Sequence, residues 1–259
     1  TSKGRAIQNL INIEQDDKVK AFICTKDLKD DEYINNHYVI MATKRGQVKK
    51  TCLEQYSRPR VNGINAITIK EDDELLEAKL TDGNSQVMLA LKSGKAIRFE
   101  EAKTRPMGRN ASGVRGIRLQ HDKDEVIGMV AVNDMESNIL VVSSNGYGKR
   151  SRLEDYRITN RGGKGVKTIS ITEKTGDLVA IKNVDDSNGL MIINKSGIAI
   201  RMAVEDLRVM GRATQGVKLI NIKDGDSIAA VAKVIHEKDD GQHEEELEST
   251  EENNINSDQ

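Results

Sequence analysis

The segment TNRGGKGVK (residues 159–167) combines three glycines and three basic residues with no acidic residue. Glycine exposes the backbone N–H groups and adopts φ > 0 at little cost, and lysine and arginine supply positive charge. Successive exposed N–H groups next to cations are suited to holding a phosphate group. The same glycines would also serve a tight turn, so the rest of the chain has to distinguish the two interpretations.

Matching loops occur at MGRNASGVRG (107–116) and MGRATQGVKL (210–219). In all three loops an arginine lies four residues before a common glycine, and a basic residue lies two residues after it. A turn explains the glycines but not the recurrent cations, although any single cation is equally well explained as a solvated charge. The candidate phosphate-binding residues of these loops are Arg109, Arg115, Arg161, Gly162, Gly163, Lys164, Gly165, Lys167, Arg212 and Lys218.

The loops belong to a larger repeat. Four turns, TKRG, LKSG, SSNG and NKSG, end in glycines separated by 48, 52 and 51 residues. Each turn follows a strand that is apolar on both faces, which is typical of a strand between two sheets. A cation lies four residues beyond each of these glycines, and we assign these cations to the same basic surface: Lys50, Arg98, Arg150 and Arg201.

A later glycine, at the junction between units, opens an alternating strand such as GVKTISI (165–171). An acidic turn and a final apolar strand then complete four short strands in each unit of about 50 residues. Four-stranded units that repeat at this length predict an all-β, radial, propeller-like architecture. The predicted blades are residues 37–85, 86–136, 137–188 and 189–235, and residues 1–34 are predicted to form part of an earlier blade.

Charge is distributed unevenly along the chain. The formal net charge is -1, but residues 236–259 carry ten acidic residues and one lysine, which leaves +8 for residues 1–235. The acidic segment is almost devoid of apolar residues and is expected to be a disordered tail. The basic body favours a polyanionic partner.

Other classes of protein are disfavoured by the sequence. No apolar run approaches the ~20 residues of a membrane helix. The two cysteines, Cys24 and Cys52, are interpreted as reduced core thiols of a cytoplasmic protein, and the scattered histidines predict no metal site. Tyr56 and Tyr156 occupy matching positions in LEQY and LEDY, so we interpret them as structural. No nucleophile–base pair or Walker loop is present, and no catalytic residue is expected in this chain.

Four segments carry a resemblance to a known family: RGGKG (161–165), RPMGRNASGVRGIRL (105–119), NGYGKRSRLEDY (145–156) and VMGRATQGVKLI (209–220). Residues 1–235 resemble the C-terminal domain of DNA gyrase A subunits, in which the glycine-rich box has Gln and Arg where this chain has Thr159 and Asn160. KGRAIQNLI near the start resembles the second half of an early blade, so a fragment is expected.

The resemblance implies a β-pinwheel of antiparallel blades that exchange strands with their neighbours. It also implies that duplex DNA wraps around the domain without sequence preference and supports ATP-dependent negative supercoiling. The implied partners are double-stranded DNA, the B subunit of gyrase and the rest of the A subunit, in an A2B2 assembly on the chromosome. No cofactor is implied for this chain, since ATP and Mg²⁺ would serve the holoenzyme only.

Two alternatives remain at this point. The first is the homologous domain of topoisomerase IV, which has the same fold and weaker wrapping. The second is a propeller-like scaffold that binds proteins and never contacts DNA.

Overall fold

Every repeat begins with a two-stranded hairpin whose turn requires glycine. In the computed structural model, which describes residues 17–223 and 225–235, Gly46 has a φ of +83° and its N–H donates to the Thr43 carbonyl oxygen at 3.0 Å. A side chain is disfavoured in this left-handed conformation. The four hairpins are β1 Tyr38–Thr43 with β2 Gln47–Cys52, β4 Gln86–Leu91 with β5 Lys95–Glu100, β8 Asn138–Ser143 with β9 Tyr147–Arg152, and β12 Asn188–Asn194 with β13 Ala199–Ala203.

A third strand from the same repeat pairs antiparallel with the first strand of each hairpin. In the first repeat Met41 lies opposite Ala78, and in the second Met88 lies opposite Val130. The first hairpin strand therefore lies between two neighbours within its sheet. These third strands are β3 Leu75–Thr81, β7 Val126–Val132, β11 Leu178–Val184 and β15 Ile228–Ile235.

The fourth strand of each of the first three sheets is donated by the next repeat, and the last sheet has three strands within the described residues. The donated strand consists of two residues that follow the glycine of the junction, and it pairs antiparallel with the second hairpin strand of the preceding blade, as in Val166 opposite Ala96. The donated strands are β6 Val114–Arg115, β10 Val166–Lys167 and β14 Val217–Lys218. The sheet orders are β3-β1-β2-β6, β10-β5-β4-β7, β11-β8-β9-β14 and β13-β12-β15. The expected all-β pinwheel with exchanged strands is confirmed.

Within the described residues, three hydrophobic cores lie between consecutive sheets, and a fourth packs Leu28 and Ile34 against Met41 of the first sheet. One core joins Ile40 and Val48 of the first sheet to Leu89 and Phe99 of the second, and all four are 0 % exposed. The stretch Val87–Leu91 is 0 % exposed throughout, which confirms that its strand is covered on both faces. Because the sequence has few aromatic residues, these cores are filled mainly by Val, Ile, Leu, Met and Ala.

Several local expectations are corrected by the structure. The cysteines do not lie in the core, since Cys24 is exposed and Cys52 is half-buried. The segment after each junction glycine was expected to form a longer alternating strand, but only two residues pair, and residues 63–69 of the first repeat form no strand. A helix that the sequence did not indicate, α1 Asp31–Asn36, is capped by the Asp30 carboxylate, which accepts from the N–H groups of Glu32 and Tyr33. Within the described part of the chain, no helix is long and apolar enough to cross a membrane.

Two predictions concern segments that are largely or wholly outside the described residues. Residues 17–30 contain no helix or strand, and the remainder of the predicted partial blade (residues 1–16) is not described. The predicted disordered tail, residues 236–259, also lies outside the described residues.

Candidate nucleic-acid interface

Residues 107–115, 159–167 and 210–218, here called the junction loops, connect each blade to the preceding one. Their common glycine is required by the joint itself. Gly165 has a φ of +72°, and a Cβ at this position would lie 2.6 Å from the Ala96 carbonyl oxygen of the preceding blade. Gly113 and Gly216 have the same conformation and the same close approach to a carbonyl of the preceding blade. These glycines are therefore structural.

The other two glycines of RGGKG differ from each other. Gly162 has a φ of +81°, so its backbone conformation favours glycine. Gly163 has no left-handed φ, and a Cβ there would meet only ordinary contacts, the nearest being Ile97 Cδ1 at 3.5 Å. Gly163 is exposed, and neither its conformation nor its packing requires glycine. A Cβ on Gly163 would face Ile97 of the preceding blade, and its absence leaves the loop more room to change conformation over that residue.

The recurrent arginines join successive junction loops. Arg161 donates from Nη1 to the Arg115 carbonyl oxygen at 3.1 Å and from Nε to that of Lys103 at 3.1 Å. Arg212 repeats this arrangement one blade later, with Nη1 2.7 Å from the Lys167 carbonyl oxygen. The guanidinium has five N–H donors, so these two contacts leave further donors for a ligand.

The result is a set of cations from different repeats that lie next to each other. Arg161 contacts the backbone of Arg115, and Arg212 contacts the backbone of Lys167. At the first junction Arg109 Nη1 donates to the Asn65 carbonyl oxygen at 3.3 Å. Asn65 takes the place that Arg115 and Lys167 have at the other two junctions, so the first junction carries one cation fewer. The arginines are half-buried, whereas the side chains of Arg115, Lys164, Lys167 and Lys218 are exposed.

Three candidate cations are placed elsewhere by the structure, which corrects the prediction that they line the basic surface. Lys50, Arg98 and Arg150 are only 5, 8 and 7 % exposed. Their side chains point into the joint between blades, where a phosphate could reach them only if the blades separated. Arg201, the fourth member of this set, is exposed on the last described sheet, and its assignment to DNA binding stays a prediction.

Each buried cation binds the turn that follows the second hairpin strand of the next repeat. Arg98 donates from Nη1 to the carbonyl oxygens of Leu153 and Tyr156, at 2.7 and 2.9 Å. Arg150 makes the equivalent contact with the Leu207 carbonyl oxygen. Lys50 uses a carboxylate instead, with its Nζ 3.2 Å from Oε1 of the fully buried Glu101. These cations fix one blade to the next.

Two further lysines, which the sequence analysis did not single out, lie beneath junction loops. Lys49 is 0 % exposed, and its Nζ donates to the carbonyl oxygens of Ala66 and Arg109, both at 2.5 Å. Lys149 is 1 % exposed, and its Nζ donates to the Gly211 carbonyl oxygen at 2.6 Å and to Thr214 Oγ1 at 3.1 Å. A sequence signal exists, since both lysines lie three residues after a hairpin glycine.

Burial changes the ionisation of these lysines. Burial, with a smaller contribution from the nearby Arg109 charge, lowers the pKa of Lys49 to about 8. The pKa of Lys149 is also lowered to about 8 by burial, with Asp155 raising it and Arg212 lowering it to smaller extents. A cationic ammonium is costly to bury, so the carbonyl contacts offset part of that cost.

The tyrosines of the LEQY and LEDY segments have structural contacts, as expected. Tyr156 is 0 % exposed, and its hydroxyl lies 2.5 Å from Thr168 Oγ1. Burial raises the pKa of Tyr156 to about 12. The Tyr56 hydroxyl donates to the Ala66 carbonyl oxygen at 3.1 Å.

The radial sheets, the exchanged strands and the chain of basic junction loops define an all-β repeat domain of the propeller-like class. Residues 37–82, 87–133, 137–185 and 190–235 match the family described as "DNA gyrase C-terminal domain, beta-propeller". The chain belongs to this family.

Known relatives agree with this assignment. The chain is 44 % identical over 239 residues to the DNA gyrase A subunit of Staphylococcus epidermidis (strain ATCC 12228 / FDA PCI 1200), covering 92 % of this chain and 26 % of that protein. It is 42 % identical over 246 residues to the DNA gyrase A subunit of Staphylococcus aureus (strain NCTC 8325 / PS 47), covering 95 % of this chain and 27 % of that protein. The chain thus spans about a quarter of the length of these relatives.

Solved structures share the fold. A crystal structure of the C-terminal domain of DNA topoisomerase IV matches with a TM-score of 0.81 at 24 % identity, covering 90 % of this chain and 71 % of that one. A DNA gyrase A C-terminal domain matches with a TM-score of 0.78 at 23 % identity, covering 90 % and 76 %. At these identities the likeness shows the fold alone. The family match and the gyrase relatives therefore favour gyrase over the topoisomerase IV alternative.

Proposed function

We propose that this chain is the DNA-wrapping part of a gyrase A subunit, in which it binds duplex DNA along its junction loops. The observation that carries the proposal is the contact of Arg161 and Arg212 with the backbones of Arg115 and Lys167. Through these contacts the cations of consecutive blades form one series instead of separate patches. Since consecutive blades are arranged radially, a DNA backbone that follows the series must curve.

The energetics are compatible with such bending. Smooth bending of a 20–30 bp site by 40–90° costs on the order of 1–6 kcal/mol. Neutralisation of phosphates by Lys and Arg releases counterions and offsets this cost. The candidate cations of the junction loops, all of them exposed or half-buried, are Arg109, Arg115, Arg161, Lys164, Lys167, Arg212 and Lys218.

Binding should depend little on base sequence. Base readout needs an element that enters a groove, and the one α-helix within the described residues has only six residues and lies outside the junction loops. Contacts to phosphates position the protein but carry no sequence information.

In the intact enzyme we expect this domain to work with the rest of the A subunit, and with the B subunit, in an A2B2 assembly on the chromosome in the cytoplasm. Wrapping would present a second DNA segment to the cleavage region in a fixed orientation. ATP and Mg²⁺ would be used by that assembly, which would introduce negative supercoils.

The test is the salt dependence of binding to a short duplex, measured by fluorescence anisotropy with two unrelated base sequences. If the seven candidate cations each neutralise one phosphate, log Kd against log salt has a slope of about 6 in magnitude. Both sequences should give similar affinities. A slope near zero, or no binding at low salt, would favour the protein-binding scaffold instead.

A further inference from the structure

The junction loops differ in the residue that lies beneath them. This residue is three positions after the hairpin glycine of the preceding blade, and it is Lys49, Ile97 or Lys149. At the first junction the Lys49 ammonium joins the Arg109 carbonyl oxygen of the loop to the Ala66 carbonyl oxygen, both at 2.5 Å. At the third junction the Lys149 ammonium binds two loop oxygens, at 2.6 and 3.1 Å. At the second junction Ile97, which is 2 % exposed, has no hydrogen-bond donor in its side chain.

The second junction loop has its lysine in a different place. Lys164 lies on the loop itself and is exposed, whereas Ser112 and Gln215 occupy the matching positions of the other two loops. The first and third junction loops thus have a buried lysine beneath them, whereas the second junction loop presents its lysine to solvent.

A cavity lies at this second junction. It has a volume of about 200 Å³, and its lining includes Arg157, Asn160, Gly163 and Lys164 together with Ile97. At the corresponding place in the other joints, the aliphatic chain of Lys49 or Lys149 runs under the loop. The second loop is thus the one with two adjacent glycines, an exposed lysine and an apolar floor.

We propose that the residue beneath each junction loop determines how that loop binds a phosphate of the DNA backbone. Lys49 and Lys149 hold their loops in a fixed shape, whereas the loop over Ile97 adjusts so that its glycine N–H groups and Lys164 close on a phosphate. This inference rests on the proposed function for its ligand. Lys49, Ile97 and Lys149 act as positioning residues, since none of them touches the phosphate.

The physical reasons are the strength of the ammonium contacts and the freedom of glycine. Charge-assisted hydrogen bonds are about twice as strong as neutral ones, so one lysine that binds two loop oxygens restricts the backbone strongly. A pair of glycines has more accessible conformations than any other dipeptide. The second loop is held at its edges, since the Gly162 N–H donates to the Gly116 carbonyl oxygen at 2.6 Å and the Gly163 carbonyl oxygen accepts from the Arg118 N–H at 2.8 Å. Ile97 makes no such contact from below, so the N–H groups of Gly163 and Lys164 can still converge on an anion.

The decisive variant is Ile97→Lys, because two explanations predict opposite changes. If only charge mattered, an added cation would strengthen binding of a short duplex. If the residue beneath the loop fixes its shape, Ile97→Lys weakens binding roughly threefold to tenfold despite the added charge. Ile97→Met is the matched control and should leave affinity unchanged. Hydrogen exchange of residues 160–165 in the DNA-free protein should slow in Ile97→Lys and not in Ile97→Met.

A reciprocal variant covers the case in which Ile97→Lys does not fold. Lys149→Met keeps the volume of the side chain and removes the ammonium, so hydrogen exchange of residues 211–216 should accelerate at least several-fold while that of residues 160–165 stays constant. Unchanged exchange in residues 211–216 overturns the inference, as does a folded Ile97→Lys protein that binds more tightly. A wild-type chain that fails to bind duplex would refute the proposed function. The role of the lysines would still be decided by hydrogen exchange, because exchange is measured without DNA.

Discussion

The Arg98 guanidinium lies 2.9 Å from the carbonyl oxygen of Tyr156, a residue 58 positions further along the chain. The arginine belongs to one blade and the carbonyl to the 3-10 turn of the next repeat, so this contact is part of the joint between them. It is also the contact that most clearly separates cations with a structural role from cations that are available to DNA.

We expect Arg98→Met to destabilise the fold and to leave DNA binding intact. The substitution leaves the carbonyl oxygens of Leu153 and Tyr156 without their buried partner, which should lower the free energy of unfolding by about 1.5–3 kcal/mol. Arg115→Met is the matched control on the exposed series. It should change stability by less than about 0.5 kcal/mol and weaken duplex binding. Urea denaturation measures the stability of both variants, and anisotropy titrations measure their duplex affinity. A stable Arg98→Met protein that binds DNA weakly, or a destabilised Arg115→Met protein that binds DNA normally, would refute this division of roles.

The glycines of the second junction loop should respond differently to alanine. Gly165→Ala places a Cβ 2.6 Å from the Ala96 carbonyl oxygen at a φ of +72°, and the left-handed conformation alone costs about 1–2 kcal/mol. A Cβ on Gly163 meets only ordinary contacts, so Gly163→Ala should change the melting temperature little. Duplex affinity should fall, because the loop loses part of the backbone freedom of its glycine pair. If both variants lowered the melting temperature equally, Gly163 would also be a structural glycine.

Stability should depend on pH through the buried lysines. The pKa of Lys149 is about 8 in the folded chain, against an ordinary value of 10.5. Between these values the unfolded chain holds a proton that the folded chain has lost, so this lysine makes stability rise with pH from about 8 upward. Wild-type protein should therefore gain stability relative to Lys149→Met between pH 7 and pH 9.5. Measurements should stop there, since Tyr156, with a pKa of about 12, acts in the opposite direction above its ordinary value of 10.

The acidic C-terminal segment should compete with DNA for the junction loops. Its net charge of -9 is close in magnitude to the +8 of the remaining chain. Removal of residues 237–259 should tighten duplex binding at low salt, with a gain that shrinks as salt screens both interactions. Equal affinities of the full and shortened chains at low salt would show that the segment serves only solubility.

The fold was largely predictable from the sequence because its periodicity is explicit. Regularly spaced glycines such as Gly46 and Gly94 mark the hairpins, and the apolar runs before them mark strands that are buried on both faces. The exchange of strands came only from the family resemblance. A two-residue pairing such as Val114 with Val48 joins positions far apart in the sequence and leaves no periodic signal.

The site was predicted less completely, for a physical reason. Arg98 and Arg115 are both arginines near a glycine, and only the three-dimensional arrangement of repeats shows that the first is enclosed by the following 3-10 turn. Lys149 was missed for the same reason, since its acceptors lie 62 and 65 residues away in the chain. Local patterns identified the recurrent loops, but not which cations the neighbouring repeat encloses.

Strand exchange also has a consequence for synthesis on the ribosome. The open edge of β2 ends at Cys52, and its partner strand β6 begins only at Val114. At about 5–20 residues per second, roughly 3 to 12 s pass before that partner has been translated. The nascent blade therefore waits first as a hairpin, and after Thr81 in a three-stranded form, for the polypeptide that completes it. The edge left open in that interval is a site where two nascent chains on one polysome could pair wrongly.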